Sequence, residues 1–360
     1  MAAWNDGDIL TTYGSGSERV EKPSSDASRQ FQWKRSHRSV MRKLHLWYRK
    51  CGRDLPWRQT SDPYAILISE YMLQQTQVET AREYFERWMN RFPNLQALAA
   101  ASEDEILAMW QGLGYYARAR NLHRAARALN DLPQFPEAPD DLRKLPGIGE
   151  YTAHAVAAFA FDDCVPVIDT NIARVLTRIF DYSEPVDTPS GMRVLREMAS
   201  SLLPVRGGGR LHNSALMELG ALICKPRQPL CHKCPVRCGC LSQNPEAQPV
   251  KRPRTAIKKV IDNRLFLCDG KSIWLTRSTG KWWNSLWILP EAKVVPPRSY
   301  DHSIKFSVTN HRILMRIWRE SPPNHMEYQK IALKNLVTLP MPSPHRRGIA
   351  AMLATDISHF

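Results

Sequence analysis

The spacing of apolar residues changes character once along this chain, and that change limits the folds open to it. Between residue 36 and about 223, "EDEILAMW", "RNLHRAARAL", "YTAHAVAAFAF", "NIARVLTRIF" and "MRVLREMASSLL" repeat apolar residues every three or four positions, the period of packed helices. From about 259, "RLFLC", "SIWLTR", "LWILP" and "HRILMRIW" are instead β-branched and aromatic, and turn residues separate them. The two textures predict a mainly α body at 36–243 and a smaller domain of mixed strand and helix at 259–360. A basic, Pro-containing stretch at 244–258 reads as a linker. Residues 1–35, polar and without period, read as a disordered tail.

Charge narrows the partners. Against 35 Asp and Glu stand 50 Lys and Arg, a formal charge of +15 that would concentrate a polyanion such as nucleic acid, although a membrane surface or an acidic partner would also suit it. The sequence has no apolar run of about 18 residues to cross a bilayer. Its N-terminus lacks the basic start and apolar core of a secretory signal. The expected location is therefore intracellular, cytoplasmic (nucleoid) if the source is bacterial.

Five of the eight cysteines crowd into residues 224–240, which in a reducing compartment suggests a metal site rather than a disulfide scaffold. Cys224, Cys231, Cys234 and Cys240 are spaced Cys-x6-Cys-x2-Cys-x5-Cys, with Cys238 left as a spare. Four thiolates so close can hold zinc or an iron–sulfur cluster, and generic chemistry leaves both open.

Three segments suggest chemistry. In "SDPYAILISEYMLQQTQVET", Asp62 is a plausible N-cap and Pro63 the first helical residue, which puts Glu70 about two turns into a helix that is apolar nearly all round. Burial there would raise the Glu70 pKa toward the value a general acid needs. A buried ion pair explains the same pattern equally well. In "LRKLPGIGEYTAHAV", Gly147 and Gly149 sit in a turn between two helices, where glycine allows a positive φ. The amides opening the second helix would be well placed to hold a DNA phosphate. In "VIDTNIARV", Asp169 precedes a helix, so its simplest role is an N-cap; held by capping contacts it would stay ionised, and an ionised carboxylate beside a sugar can stabilise developing positive charge.

Taken in order, "SEYMLQQTQV", "GLGYYARARNL", "LPGIGEYTAHAV", the Asp169 loop and the cysteine spacing resemble the MutY-type adenine DNA glycosylases, strongly over residues 40–243 and weakly beyond. The resemblance implies a helix-hairpin-helix glycosylase core with an iron–sulfur loop and a smaller α/β Nudix-like C-terminal domain. The same core and spacing fit endonuclease III, but those lyases carry a lysine nucleophile where this chain has Tyr151, so hydrolysis without strand cleavage is expected.

Carried over by position, Glu70 matches the acid that protonates the extruded adenine, and Asp169 the carboxylate that stabilises the oxocarbenium-like sugar. Tyr151 and Asn171 match residues that assist there, and Trp57 and Arg58 the wall of the adenine pocket. Gln75 and Tyr115 match residues that enter the base stack, with Leu113 on the same DNA-binding surface. The four cysteines match ligands of a [4Fe-4S] cluster that shapes a phosphate-binding loop. The C-terminal domain lacks the Glu-rich motif of active Nudix hydrolases, so a recognition role is implied. Where the family reads 8-oxoguanine with Phe-Ser-His, this chain has Thr309-Asn310-His311, and only the His agrees. Thr170 stands where many relatives have Gly, and His154 where a small residue is common. The implied partner is double-stranded DNA with A:8-oxoguanine or A:G mispairs, bound by a monomer. A glycosylase for thymine opposite guanine and a non-catalytic DNA-binding module are the alternatives.

Overall fold

The computed structural model describes residues 37–357 apart from 254, 281 and 323–327, so the stretch read as a tail, 1–35, lies outside the described residues. Twelve α-helices and six strands follow in order among the described residues. The helices before the first strand are α1 His37–Cys51, α2 Pro63–Leu73, α3 Val78–Arg91, α4 Leu95–Ala100, α5 Glu103–Met109, α6 Ala117–Asn130, α7 Pro139–Leu142, α8 Glu150–Phe161, α9 Thr170–Ile179, α10 Pro189–Leu202 and α11 Gly209–Leu222. Then come β1 Lys258–Leu267, β2 Ser272–Arg277, β3 Trp287–Ile288, β4 His302–Val308, β5 His311–Glu320, β6 Gln329–Ala332 and the closing helix α12 Ser343–Ile357.

Local chemistry starts these helices. The Asp62 carboxylate accepts the Tyr64 amide at 3.0 Å and Pro63 opens α2, supplying one partner for the amides a helix start leaves unpaired. Asn94, Ser102, Asp169 and Thr188 do the same for α4, α5, α9 and α10. Three acids in the first turn of α5, Glu103, Asp104 and Glu105, also suit its dipole.

The helices bury two adjoining cores. One, with Ile66, Leu67, Trp88, Trp110, Leu122 and Val156, joins α2, α3, α5, α6 and α8. The other, with Leu44, Ile172, Leu176, Leu195 and Leu219, joins α1, α9, α10 and α11. Every residue of α2 from Tyr64 to Met72 is buried, Glu70 included, because helices cover it on all sides. The hairpin is lopsided: its first helix, α7, is a single turn.

The strand region builds two three-stranded sheets, ordered β1-β5-β4 and β3-β2-β6. β1 runs parallel to β5 from Lys258↔His311 to Leu267↔Glu320, and β4 and β5 form an antiparallel hairpin that turns at Thr309 and Asn310. A third core with Phe266, Ile273, Leu275, Ile317 and Met352 lies between the sheets and α12. The stretch read as a linker is tied down: Val186 N–H donates to the Val250 carbonyl and Arg252 N–H to Asp187. The strand region also touches the helices, through Arg277 to Asp104, Arg346 to Gln111 and the Tyr116 hydroxyl to the Met341 carbonyl. No described helix is long and apolar enough to cross a membrane.

Candidate active site

A cavity of about 630 Å³ opens where the two helical cores meet. The loop after α1 supplies Arg53, Trp57 and Arg58; α2 and the turn after it supply Glu70, Gln74, Gln75 and Thr76; α8 supplies Tyr151; the start of α9 supplies Asp169, Thr170 and Asn171; α11 supplies Ser214, Met217 and Glu218. Eight residues singled out from sequence therefore share one space: Trp57, Arg58, Glu70, Gln75, Tyr151, Asp169, Thr170 and Asn171.

Glu70 is 4% exposed, and the Tyr151 hydroxyl donates to its Oε2 at 2.8 Å. Burial pushes the carboxyl up from its ordinary 4.5 to about 7; the Tyr151 hydrogen bond and Arg58 resist that rise, and Asp169 adds to it. Glu70 is thus an acid that exchanges its proton near neutral pH. Tyr151, partly buried beside it, is pushed well above the ordinary phenol value first by desolvation and then by Glu70, so it remains a hydroxyl donor.

Asp169 caps α9, accepting the Ile172 amide on Oδ1 at 2.6 Å and the Asn171 side-chain amide on Oδ2 at 3.0 Å. Capping contacts alone would hold it low, as the sequence suggested. Burial instead raises it above the ordinary carboxylate value, against the pull of those same donors. Asn171 is fixed in turn: its Oδ1 accepts from Arg174 Nη2 at 2.8 Å, and Gly220 lets α11 come close enough that a Cβ there would lie 2.7 Å from Asn171 Cβ.

Arg58 belongs to a charge network whose other members, Glu218 and Arg53, the sequence reading missed. Glu218, fully buried on α11, accepts Arg53 Nε at 2.8 Å, Arg53 Nη2 at 3.0 Å, the Arg53 amide at 2.9 Å and Arg58 Nη2 at 2.9 Å. Burial alone would raise the Glu218 carboxyl, but the arginine donors outweigh it and leave it at about 2. Two buried acids in one cavity are driven in opposite directions, Glu70 toward its neutral form and Glu218 toward its anion. The signal for Glu218 was the one that flagged Glu70, a lone acid in an apolar helix, here "NSALMELGALI". Trp57 packs edge-on against Phe85 at 5.5 Å.

Apart from Gln75, which lines the cavity from the turn after α2, the predicted residues that follow lie off this cavity. Leu113 is buried, whereas Tyr115 in the same turn is 50% exposed. Gln75 sits in the α2–α3 turn rather than on a helix, and both Gln75 and Tyr115 have positive φ, 59° and 48°. Gly147 has φ 81°, and a Cβ there would lie 2.7 Å from Asn121 Cβ. Gly149 departs from expectation: its φ is −87°, it precedes α8 as N-cap, and nothing lies within 4 Å of an added Cβ. His154 faces the Pro166 carbonyl at 2.8 Å. Asn310 donates to the Ala256 carbonyl at 3.2 Å, and His311 packs against Trp282 with ring centroids 4.9 Å apart.

Cys224, Cys231, Cys234 and Cys240 line a second cavity, about 240 Å³, and Cys238 stays outside it, exposed near Lys43. Arg178 Nη1 donates to Cys224 Sγ at 3.2 Å. Among the described residues no three or more His, Cys, Asp or Glu side chains close up in the manner of a single-ion site.

Residues 68–200 match the family model described as HhH-GPD superfamily base excision DNA repair protein. The adenine DNA glycosylase of Buchnera aphidicola subsp. Schizaphis graminum is 35% identical over 252 residues, which cover 68% of this chain and 72% of that protein. The chain belongs to the adenine DNA glycosylase family. A rat family member is 42% identical over 213 residues, covering 55% of this chain; the chain spans only 40% of that longer relative. Among solved structures, a thermostable thymine-DNA glycosylase superposes with a TM-score of 0.52 at 27% identity, covering 60% of this chain and 98% of the other. That likeness covers a helical core shared by glycosylases with different target bases. The helical core here holds Glu70 and Asp169 in one cavity.

Proposed function

We propose that this chain is a monofunctional glycosylase of base excision repair, hydrolysing the N-glycosidic bond of adenine that stands opposite 8-oxoguanine or guanine in double-stranded DNA. The observation that carries the proposal is Glu70: a carboxylic acid held near pH 7, hydrogen-bonded by Tyr151, in a cavity that also holds Asp169. The base swings out of the duplex into the cavity against Trp57. Glu70 gives its proton to the base as the bond to the sugar breaks, so the base departs neutral. Positive charge grows on the sugar, where the Asp169 carboxylate, oriented by Ile172 and Asn171, stabilises it. Water adds to the sugar carbon and its proton returns to the Glu70 carboxylate. No lysine lines the cavity among the described residues, which supports hydrolysis over a Schiff-base lyase reaction.

Around this centre Gln75, Leu113 and Tyr115 would meet the base stack, and the turn with Gly147 and Gly149 would meet phosphate. Residues 259–360 would act as a Nudix-like lesion-recognition domain through Asn310 and His311, joined by 244–258 to the glycosylase domain at 36–243, in a monomer. The four cysteines would hold a [4Fe-4S] cluster. What supports that reading is that all four thiols line one small cavity, at the spacing the family resemblance assigns to the cluster. The cluster's contribution would be to shape a loop rich in Lys225, Arg227, Lys233 and Arg237, not to react.

The thymine-DNA glycosylase likeness keeps thymine opposite guanine as the second reading. Duplexes carrying A:8-oxoguanine, A:G, T:G or only normal pairs, treated with enzyme and then hot alkali, separate the readings. Cleavage at adenine in the first two supports the proposal, loss of thymine from T:G supports the rival, and intact strands with both wild type and Glu70→Gln support a binding module.

A further inference from the structure

Gln75 and Tyr115 stand in separate turns, and both take a left-handed backbone that side chains other than glycine adopt only when surrounding structure holds them. One side chain bonds to the residues beside both. Arg118, 8% exposed in the first turn of α6, donates through Nη1 to the carbonyls of Tyr71 at 3.0 Å, Met72 at 3.3 Å and Gln74, all at the C-terminal end of α2. The same nitrogen reaches Thr76 Oγ1 at 3.5 Å. Its Nη2 donates to the carbonyls of Leu113 at 2.9 Å and Gly114 at 3.2 Å. The guanidinium also lies 5.7 Å from the centroid of the Tyr115 ring. Carbonyls left over at a helix end and in a tight turn need donors, and a planar guanidinium offers five of them in a fixed fork, against three on a lysine ammonium. Burial lowers Arg118 to about 10, which still leaves it a cation at neutral pH.

We propose that Arg118 is a positioning residue that locks the Gln75 turn and the Tyr115 turn into one rigid unit, so that both side chains enter the DNA together and keep the extruded base in the cavity. The inference rests on the reading that these two side chains meet the duplex. Neighbouring residues extend the unit toward the strand region, since Tyr116 donates to the Met341 carbonyl and Arg120 to the Asn284 carbonyl.

The test compares the full chain with Arg118→Lys and Arg118→Met. Single-turnover excision from an A:8-oxoguanine duplex measures the reaction. Fluorescence of 2-aminopurine in place of the adenine, in a Glu70→Gln background that blocks cleavage, measures extrusion. Both variants are expected to excise roughly 10–100-fold more slowly, as for reacting groups displaced by about 1 Å, and to lose extrusion signal. The pH midpoint of excision should not move, because Glu70 keeps its neighbours. Folded variants with wild-type extrusion and rate overturn the inference. If the Arg118 variants do not fold, Gln75→Ala, Tyr115→Ala and the double variant decide it: a double loss little larger than the worse single one supports a coupled unit, and additive losses refute it. A wild type that excises no base from any duplex removes the functional reading and this inference with it; wild-type excision with indifferent Arg118 variants removes this inference alone.

Discussion

Replacing Glu70 by Gln is expected to abolish excision and yet stabilise the protein, in a way that depends on pH. Burial raises Glu70 from 4.5 to about 7, so between those values the folded chain holds a proton that the unfolded chain has lost. For a group whose folded pKa lies above its unfolded one, stability is fully present below the unfolded value and falls as pH rises through the folded value. The span is about 2.5 pH units, and at ~1.4 kcal/mol per unit the cost above pH 7 is about 3 kcal/mol. Glutamine is neutral at every pH, and its side-chain oxygen can still accept the Tyr151 hydroxyl. Glu70→Gln should therefore match wild type near pH 4.5 and exceed it by about 3 kcal/mol at pH 8, seen as a melting temperature higher by roughly 5 °C. The assay is thermal unfolding followed by tryptophan fluorescence across that pH range, with a neutral surface substitution as control. An equal gain at both ends of the range, or none at pH 8, would show that burial does not hold Glu70 in its neutral form, and the proton-donor argument would lose its physical basis.

Other perturbations have separate readouts. Glu218→Gln leaves the partly buried guanidinium groups of Arg53 and Arg58 facing a neutral amide, and should lower stability at pH 7 by about 1–3 kcal/mol; because the folded Glu218 pKa lies at about 2, the difference from wild type should shrink as pH falls below the unfolded carboxylate range, which acid titration of unfolding would reveal. Gly147→Ala forces a side chain into a positive φ and against Asn121, so weaker binding to undamaged duplex and a loss of roughly 1 kcal/mol or more in stability are expected, while Gly149→Ala should leave stability near wild type. For the cysteine loop, iron analysis and visible absorption should find about four irons per chain in wild type and in Cys238→Ser, and a marked loss in Cys240→Ser; colourless protein carrying stoichiometric zinc would contradict the cluster assignment.

What could be read from the sequence follows the range of the interactions concerned. The helices were legible because their starts are local: Asp62 with Pro63, and Asp169 with Ile172, sit within three residues of the amides they satisfy. Glu70 was legible as an anomaly, an acid among Ile66, Ile68, Tyr71 and Met72, but its role could not be separated from a buried ion pair until Tyr151 and Asp169 came beside it. Glu218 has the ion pair that Glu70 lacks, and its partners Arg53 and Arg58 lie more than 150 residues away, beyond any spacing rule. Arg118 was hidden differently. It is one of several arginines in "YARARNLHRAAR", and no periodicity marks which of them turns inward to the ends of two other segments. The positive φ at Gln75 and Tyr115 was equally silent, because glycine is the only residue whose identity announces such a backbone.

The pH dependence of single-turnover excision from an A:8-oxoguanine duplex tests the central claim most directly. With Glu70 as the proton donor, the rate should be high below neutrality and fall with a midpoint near pH 7, the value to which burial brings the carboxyl. Glu70→Gln should give no product at any pH. A rate that is flat from pH 5 to 9, or adenine released at wild-type speed by Glu70→Gln, would contradict it.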